Sequence, residues 1–220
     1  HAVHVAGTML GGGKVNDQYR GIAPDSRLVS YDFFFSDGQE LLNETNKSVS
    51  IYNAAVSQNS WGLDPSKEPK SKFGDYLDFS TIYDEIVNGN KRKLSSNIPV
   101  VFSAGNSGPL YSGLLYNTTT GPGATAKNTI TVGAVDENRD VAGYSSRGPT
   151  DDGRIKPTLV ALGGSSVSTG DVNSSVSSTK SGYPYSGKRG TSMASPAVSG
   201  ATILVTQEFN RTYDRLPEPA

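Results

Sequence analysis

Short, uninterrupted apolar runs alternate along the chain with segments whose apolar residues recur every three or four positions. The run 98–102 (Ile-Pro-Val-Val-Phe) is followed by a Gly-containing turn, as buried parallel strands often are, whereas 76–88 places Leu, Ile and Val on one helical face. The pattern predicts strands at 28–35, 56–60, 98–102 and 129–132, and helices at 44–56, 76–88 and 191–209. This alternation indicates an α/β fold with a parallel sheet covered by helices on both faces.

Two segments depart from this pattern. Residues 163–187 are rich in Ser, Gly and Thr, which predicts a long surface loop or a hairpin. Residues 63–75 have the polar, Pro-containing composition of an exposed insertion. The sequence has no internal repeat, and its 220 residues fit a single domain, 1–220.

Charge and composition exclude several classes of protein. The formal net charge is −1 and the chain contains no Cys. A near-neutral chain has no basic surface for nucleic acid, so we expect no nucleic-acid partner. The absence of Cys rules out disulfides, thiolate catalysis and Cys-ligated metal sites. The longest apolar stretches fall well short of the ~20 residues that a membrane-spanning helix needs, so we expect no membrane span.

The most informative segment is 190–196, Gly-Thr-Ser-Met-Ala-Ser-Pro. Small residues flank Ser192 at the start of an apolar helical pattern, which keeps its hydroxyl clear of neighbouring side chains. A helix N-terminus also presents free N–H groups and the positive end of the helix dipole to an oxyanion. An ordinary Ser/Thr N-cap explains the same residues, and the segment alone favours neither interpretation.

A nucleophilic serine needs a base, which is most often His. The chain has two His, His1 and His4, both within its first eight residues. A zinc site is the alternative for such a pair. Zinc would require a third ligand and a catalytic Glu, and the His-Glu-x-x-His pattern is absent, so we expect no metal ligands here.

Asn106 lies in a Gly-flanked turn, Ser-Ala-Gly-Asn-Ser-Gly (103–108), directly after the predicted strand 98–102. An amide side chain held in such a turn can donate a hydrogen bond to a developing oxyanion. Considered alone, an Asn in this position is more commonly explained by the turn geometry that it supplies.

Taken together, these segments resemble the subtilisin-like serine proteases, the subtilase family. The His segment, the Asn turn and the Ser motif occur in the family's order, and the resemblance covers nearly all of the chain. Further stretches with counterparts in the family are 21–24, 59–62, 131–134 and 144–149. The run 147–157 is most similar to the oxidatively stable, alkaline bacterial branch. The resemblance implies a doubly wound, subtilisin-like sheet that is incomplete at both termini.

The resemblance also implies catalytic roles. Ser192 would be the nucleophile and His1 the general base and acid. Asn106 would donate to the oxyanion beside the Ser192 N–H. His4 would be structural.

Substrate binding is implied for two segments, Ser60-Trp61-Gly62 and Ser103-Ala104-Gly105, which would line the first specificity pocket. The first would pair with the substrate backbone as an added strand, and Trp61 at the pocket edge favours an apolar or aromatic substrate side chain. A cis peptide bond would precede Pro122. No cofactor is required; calcium is common in the family, so a structural calcium ion is compatible with the chain, although no acidic loop matches a site.

The sequence also departs from the family pattern. The family's catalytic Asp precedes the His, whereas this sequence begins at His1, so no residue present takes that role and we expect the 220 residues alone to be nearly inactive. Ala2-Val3 replace the family's Gly-Thr, and their bulk could displace the imidazole. Thr158 and Leu162 stand where the family usually has Asp and Pro.

The favoured hypothesis is therefore a serine endopeptidase that hydrolyses polypeptides through an acyl-enzyme. The alternative is a catalytically impaired pseudoprotease that binds peptides or partners through the same cleft. For the enzyme the resemblance implies secretion, and we expect a monomer.

Overall fold

A computed structural model describes residues 1–14, 16–31, 38–63, 66–89, 97–164, 172–174 and 185–217. In chain order the helices and strands are α1 (Ala2–Leu10), α2 (Gly38–Tyr52), β1 (Ser57–Asn59), α3 (Asp78–Asn88), β2 (Val100–Ser103), α4 (Pro109–Ser112), α5 (Pro122–Thr125), β3 (Ile130–Val135), β4 (Leu159–Leu162), β5 (Val172–Ser174), β6 (Ser186–Lys188) and α6 (Thr191–Tyr213). Single 3₁₀ turns lie at Asp17–Tyr19 and Lys70–Lys72.

Four strands form a parallel sheet in the order β1-β2-β3-β4. Helix α3 connects β1 to β2, and the short helices α4 and α5 lie between β2 and β3. Strands β5 and β6 pair with each other in antiparallel register, apart from the main sheet. The predicted α/β class with a parallel sheet is confirmed.

Side chains of β2 alternate between two apolar cores on opposite faces of the sheet. Val100 and Phe102 pack with residues of α2 and α3, whereas Val101 packs with β3 and with Ala194 of α6. All three side chains are at most 1% exposed. Helices therefore cover both faces, which explains why the run is apolar throughout and does not alternate with polar residues.

Most predicted elements are present with shifted ends. Helix α3, β2 and β3 begin within two residues of the predicted positions, and α6 begins at Thr191 as predicted but continues to Tyr213. The predicted helix 44–56 is α2, which begins earlier, at Gly38, and ends at Tyr52. Although α6 has 23 residues, none of the helices in the described parts of the chain is long and apolar enough to cross a membrane.

Other predictions fail or fall outside the described residues. The prediction of a strand at 28–35 is wrong for residues 28–31, which have irregular backbone. Residues 32–35 lie outside the described residues. Most of 163–187 also lies outside them. Strand β4 was not predicted; Leu159–Leu162 form a strand by pairing with β3, and three of the four residues are exposed. Among the described residues, cis peptide bonds precede Pro149 and Pro157 but not Pro122, so the expected cis bond before Pro122 is wrong.

The Asp84 carboxylate joins α3 to the chain that leads into β3. It accepts hydrogen bonds from the hydroxyl of Tyr76 (2.6 Å) and from the backbone N–H groups of Lys127 (3.1 Å) and Asn128 (2.7 Å). Three donors satisfy this buried carboxylate, so the chain after α5 is held in place at a point that the sheet does not reach.

Lys156 is a buried cation. Its Nζ donates to the carbonyl of Thr129 and to the hydroxyl of Thr131, both at 3.0 Å, and the residue is 6% exposed. Burial lowers the pKa of Lys156 to about 8; nearby Arg154 lowers the pKa as well, and Asp84 opposes the change.

We expect Lys156→Met to alter how stability depends on pH. Below about pH 8 the ammonium group is charged in both the folded and the unfolded chain, so the full cost of burying it is present. Between about pH 8 and 10.5 the folded chain releases this proton first, so the free energy of unfolding rises with pH. The pKa shift corresponds to on the order of 3 kcal/mol.

Urea unfolding at a series of pH values from 7 to 11, a window chosen around these pKa values, measures the difference between wild type and variant. We expect wild type to gain stability relative to Lys156→Met across this range. Lys47→Met, at an exposed position of α2, is the matched control and should follow wild type. Superimposable profiles for wild type and Lys156→Met would contradict the prediction.

Candidate active site

The two segments predicted to bind substrate leave the sheet side by side. Ser60-Trp61-Gly62 follows β1. Ser103 is the last residue of β2, and Ala104 and Gly105 follow it. Asn59 pairs with Phe102, which aligns the two strands in parallel. Because parallel strands end at the same edge of a sheet, both segments lie at its carboxyl edge, where α/β proteins commonly bind ligands. Their binding role remains a prediction.

Both segments approach Thr120. A Cβ on Gly62 would lie 3.2 Å from the Thr120 carbonyl oxygen, and a Cβ on Gly105 would lie 2.5 Å from the Thr120 hydroxyl. Gly105 also has φ +99°, a conformation that favours glycine. Thr120 is 4% exposed, so both segments lie against one buried residue.

The Trp61 side chain turns toward the α3 side of the sheet. Its ring centroid lies 5.2 Å from that of Phe102 and 6.4 Å from that of Tyr83, and its Nε1 donates to Asn59 Oδ1 (3.1 Å). The indole therefore supports its segment from the core side. The expected preference for an apolar substrate side chain assumed Trp61 at the pocket edge, and this packing gives it no support.

Asn106 contacts the first turn of α6. Its Oδ1 accepts hydrogen bonds from the backbone N–H (2.9 Å) and the hydroxyl (3.1 Å) of Thr191. A backbone N–H can only donate, which assigns the oxygen to this side of the amide and leaves Nδ2 on the other side. The Thr191 hydroxyl in turn accepts from the Gly105 N–H (3.2 Å), which ties the pocket segment to the helix.

Two N–H donors border a small space beside Ser192. The position of a Cβ on Gly190 would lie 3.3 Å from Asn106 Nδ2, 3.6 Å from Asn106 Oδ1 and 3.7 Å from the Ser192 backbone nitrogen. Within the described part of the chain, neither of these nitrogens donates a hydrogen bond. Gly190 leaves this space open because it lacks a side chain, and its φ of +142° is readily adopted only by glycine. Two N–H donors beside one space are what an oxyanion site requires, and the oxyanion role of Asn106 stays a prediction.

The Ser192 hydroxyl is only loosely held. Its Oγ lies 3.5 Å from the Ser60 carbonyl oxygen, at the outer limit of a hydrogen bond, and the residue is partly exposed. The hydroxyl can therefore reorient toward a base or a substrate.

The start of α6 is fixed from behind by Tyr144 and Gly163. The Gly190 N–H donates to the Gly163 carbonyl (2.8 Å), and the buried Tyr144 hydroxyl lies 2.7 Å from the carbonyl oxygens of both Gly163 and Gly164. Burial raises the pKa of Tyr144 to about 12, so the phenol stays a donor at neutral pH. This contact holds the residue before the helix in position.

His1 is the exposed N-cap residue of α1, and α1 packs against α6. His4, three residues further along, is 2% exposed, so the two His differ in environment and their roles stay predictions. Among the described residues, His1 forms no hydrogen bond to Ser192. Ala2 and Val3 are both exposed, so their side chains do not press on the imidazole from within the fold.

None of the carboxylates in the described residues pairs with His1. Asp136, for example, closes a turn by accepting from the N–H groups of Asn138 and Asp140. Nor do three His, Asp or Glu side chains of this part of the chain come together in a way that could hold a metal ion.

Sequence reasoning missed the residues that act across long separations. Thr120 lies against both segments predicted to bind substrate, and Gln58 donates hydrogen bonds to Ser60 and to Ser195 of α6. The run Thr118-Thr119-Thr120-Gly121-Pro122 was a usable signal, because three consecutive Thr before Gly-Pro are unusual for an exposed loop and all three are buried here. No local sequence pattern marks Gln58 as a hydrogen-bond partner of Ser195.

Comparison with known proteins identifies the family. The model of the Subtilase family matches residues 1–216, and the chain belongs to this family. Serine protease AprX of Bacillus subtilis is 32% identical over 94% of the chain, and Subtilisin DY of Bacillus licheniformis is 30% identical over 95%. The chain spans 48% of the length of AprX and 64% of Subtilisin DY.

Solved structures agree on the fold. The Patellamide maturation protease PatA superimposes with a TM-score of 0.64 at 23% identity, over 100% of this chain and 69% of that one. A psychrophilic protease, S41, gives a TM-score of 0.58 at 25% identity, over 93% of this chain and 62% of that one. The placement in the alkaline bacterial branch stays a prediction.

We expect Gly105→Ala to damage the pocket more than a matched glycine change elsewhere. Gly113 has φ +72°, and a Cβ added there would meet nothing within 4 Å, so Gly113→Ala incurs the conformational cost alone, roughly 1–3 kcal/mol. Gly105→Ala adds a collision with Thr120. A shift near 1 Å at a reacting centre can cost on the order of 100-fold in rate.

Thermal unfolding and hydrolysis of chromogenic peptides by the product of the full-length gene test this expectation. Gly105→Ala should lower kcat/KM by about 10-fold or more, while Gly113→Ala should change it less than about twofold. Equal losses for the two variants would show that the pocket does not depend on the close approach of Gly105 and Thr120.

Proposed function

We propose that this chain forms the nucleophile-bearing part of a serine endopeptidase that hydrolyses polypeptides through an acyl-enzyme on Ser192. The observation that carries the proposal is the pair of N–H donors, from Ser192 and Asn106, that border one open space at the start of α6. Family membership and a relative that is named as a serine protease, AprX, support it.

The roles follow from acyl-transfer chemistry. His1 removes the proton from Ser192 Oγ, which attacks the carbonyl carbon of the scissile peptide bond. The carbonyl oxygen becomes an oxyanion that accepts from the Ser192 N–H and from Asn106 Nδ2. His1 then protonates the departing amine, and a water molecule, activated by the same imidazole, hydrolyses the acyl-enzyme.

Substrate binding uses the carboxyl edge of the sheet. We propose that the peptide lies alongside Ser60-Trp61-Gly62 as an added strand, with one side chain between this segment and Ser103-Ala104-Gly105, facing Thr120. Secretion, a monomeric state and a bound structural calcium ion remain proposals from the family resemblance.

The pseudoprotease alternative rested on the Ala2-Val3 departure. Because both side chains are exposed, this departure supplies no steric reason for a displaced imidazole within the described residues. The comparisons do not favour the alternative either, since AprX and PatA, which resemble the chain, are both named as proteases.

Labelling with a fluorophosphonate probe tests the proposal directly. The probe forms a covalent bond with an activated serine, so we expect the product of the full-length gene to be labelled at Ser192 and the Ser192→Ala variant to remain unlabelled. A folded wild-type protein that is not labelled would instead identify the cleft as a binding site.

Two variants of Asn106 separate its acceptor from its donor. Asn106→Asp keeps an oxygen for Thr191 but removes the N–H donor, whereas Asn106→Ala removes both. Loss of one side-chain donor from this site in a subtilisin costs about 10²–10³ in kcat, and we expect a loss of that order for both variants, with KM nearly unchanged. Only Asn106→Ala should also lose thermal stability. An unchanged kcat in both would exclude Asn106 as an oxyanion donor.

A further inference from the structure

The side-chain alternation of β1 continues past the end of the strand and separates two sets of contacts. Asn59 and Trp61 face α3, where Asn59 Oδ1 accepts from the Trp61 indole (3.1 Å). Gln58 and Ser60 face α6, where both contact Ser195. This period of two is the ordinary geometry of an extended chain. Gln58 therefore lies under the first turn of α6 although its neighbours do not.

Three side chains form a closed set of hydrogen bonds beneath the nucleophile. Gln58 Nε2 donates to Ser60 Oγ (2.7 Å) and to Ser195 Oγ (3.0 Å). The two hydroxyl oxygens lie 2.8 Å apart, and Ser60 Oγ also donates to the backbone carbonyl of Ser192 (3.0 Å). Ser195 is fully buried, and Gln58 and Ser60 are partly buried.

The protons in this set have one consistent arrangement. An amide NH₂ has two protons and each hydroxyl has one proton and two lone pairs. Gln58 supplies both of its protons, one to each hydroxyl, Ser195 donates to Ser60, and Ser60 donates to the Ser192 carbonyl. The amide thereby occupies one acceptor position on each hydroxyl. The single hydroxyl proton of Ser60 is directed at the Ser192 carbonyl oxygen.

The Ser192 carbonyl needs this donor because of Pro196. In an α-helix the carbonyl of residue 192 would accept from the N–H of residue 196, and proline has no N–H. Pro196 lies inside α6, so the helix itself leaves this carbonyl without its usual partner. Ser60 supplies the missing donor from outside the helix. Without a donor, this partly buried carbonyl would instead destabilise the turn or let it move.

We propose that Gln58 is a positioning residue for the nucleophile. By holding the hydroxyls of Ser60 and Ser195, its amide fixes the peptide carbonyl of Ser192, and with it the directions of the Ser192 side chain and backbone N–H. Gln58 does not touch the reacting atoms and acts through Ser60 and Ser195. This inference rests on the proposed function of Ser192.

Gln58→Met tests the proposal because Met has nearly the same length and shape but no donor. We expect kcat and the second-order rate of fluorophosphonate labelling to fall together by roughly 10-fold, since a small misplacement of a reacting group costs rate, while KM changes less than about twofold. Rates are normalised to the folded fraction, so that a loss of stability alone does not produce the result.

Ser57→Ala is the matched control. Ser57 lies on the same strand but on the opposite face, where its hydroxyl accepts from Asn59 Nδ2 (3.0 Å). It loses one hydrogen bond of similar length and should keep the wild-type labelling rate. Gln58→Met labelling as fast as wild type would overturn the positioning role, whereas no labelling of wild type would overturn the proposed function itself.

A double-mutant cycle with Pro196→Ala tests the connection to the helix. The alanine in this variant supplies the N–H that the Ser192 carbonyl lacks, so Ser60 and Gln58 become less necessary. We expect Gln58→Met to slow labelling less in the Pro196→Ala background than in wild type. An equal slowing in both backgrounds would show that Gln58 does not act through the Ser192 carbonyl. The single-variant comparison remains decisive if Pro196→Ala does not fold.

Discussion

The parallel hydrogen bonds between β1 and β2 align Asn59 with Phe102 and so bring two glycine-containing segments out of the sheet at one edge. Side-chain alternation then places a polar set, Gln58 and Ser60, on the α6 side and the aromatic side chain of Trp61 on the α3 side. The aromatic packing holds the segment in place, and the polar set contacts the turn that carries Ser192. Positions of the proposed nucleophile and of the pocket therefore depend on the same strand pairing.

Hydroxyl groups satisfy backbone carbonyls of the short buried helix α5. Thr129 donates to the carbonyl of Gly123 (2.6 Å), and Thr131 donates to that of Ala124 (2.9 Å). A buried carbonyl without a donor costs about 1–3 kcal/mol, so these contacts stabilise chain that no strand pairs with. Ser60 serves the carbonyl of Ser192 in the same way. The many Ser and Thr residues, which first indicated loops, also act as donors within the core.

The sequence was sufficient to locate those helices and strands whose determinants lie in neighbouring residues. Apolar runs located β2 and β3, and small residues around Ser192 marked the start of α6, because these signals depend on neighbouring residues. Strand β4 escaped because Leu159–Leu162 become a strand by pairing with β3, and the run 28–31 was assigned to a strand from its composition although it has irregular backbone. Gln58 escaped for a related reason, since its partner Ser195 is 137 residues away.

The hydrogen bond from Gly190 to Gly163 joins the two ends of the chain segment between them at a distance of 2.8 Å. Gly163 is itself held to the sheet, because its N–H donates to the Val135 carbonyl (2.9 Å). Doubling the length of a loop whose ends are already joined costs only about 0.6 kcal/mol in closure entropy. Evolution can therefore lengthen or shorten the connection between residues 163 and 190 without displacing the helix that follows it, which makes this connection a natural place for related proteins to diverge.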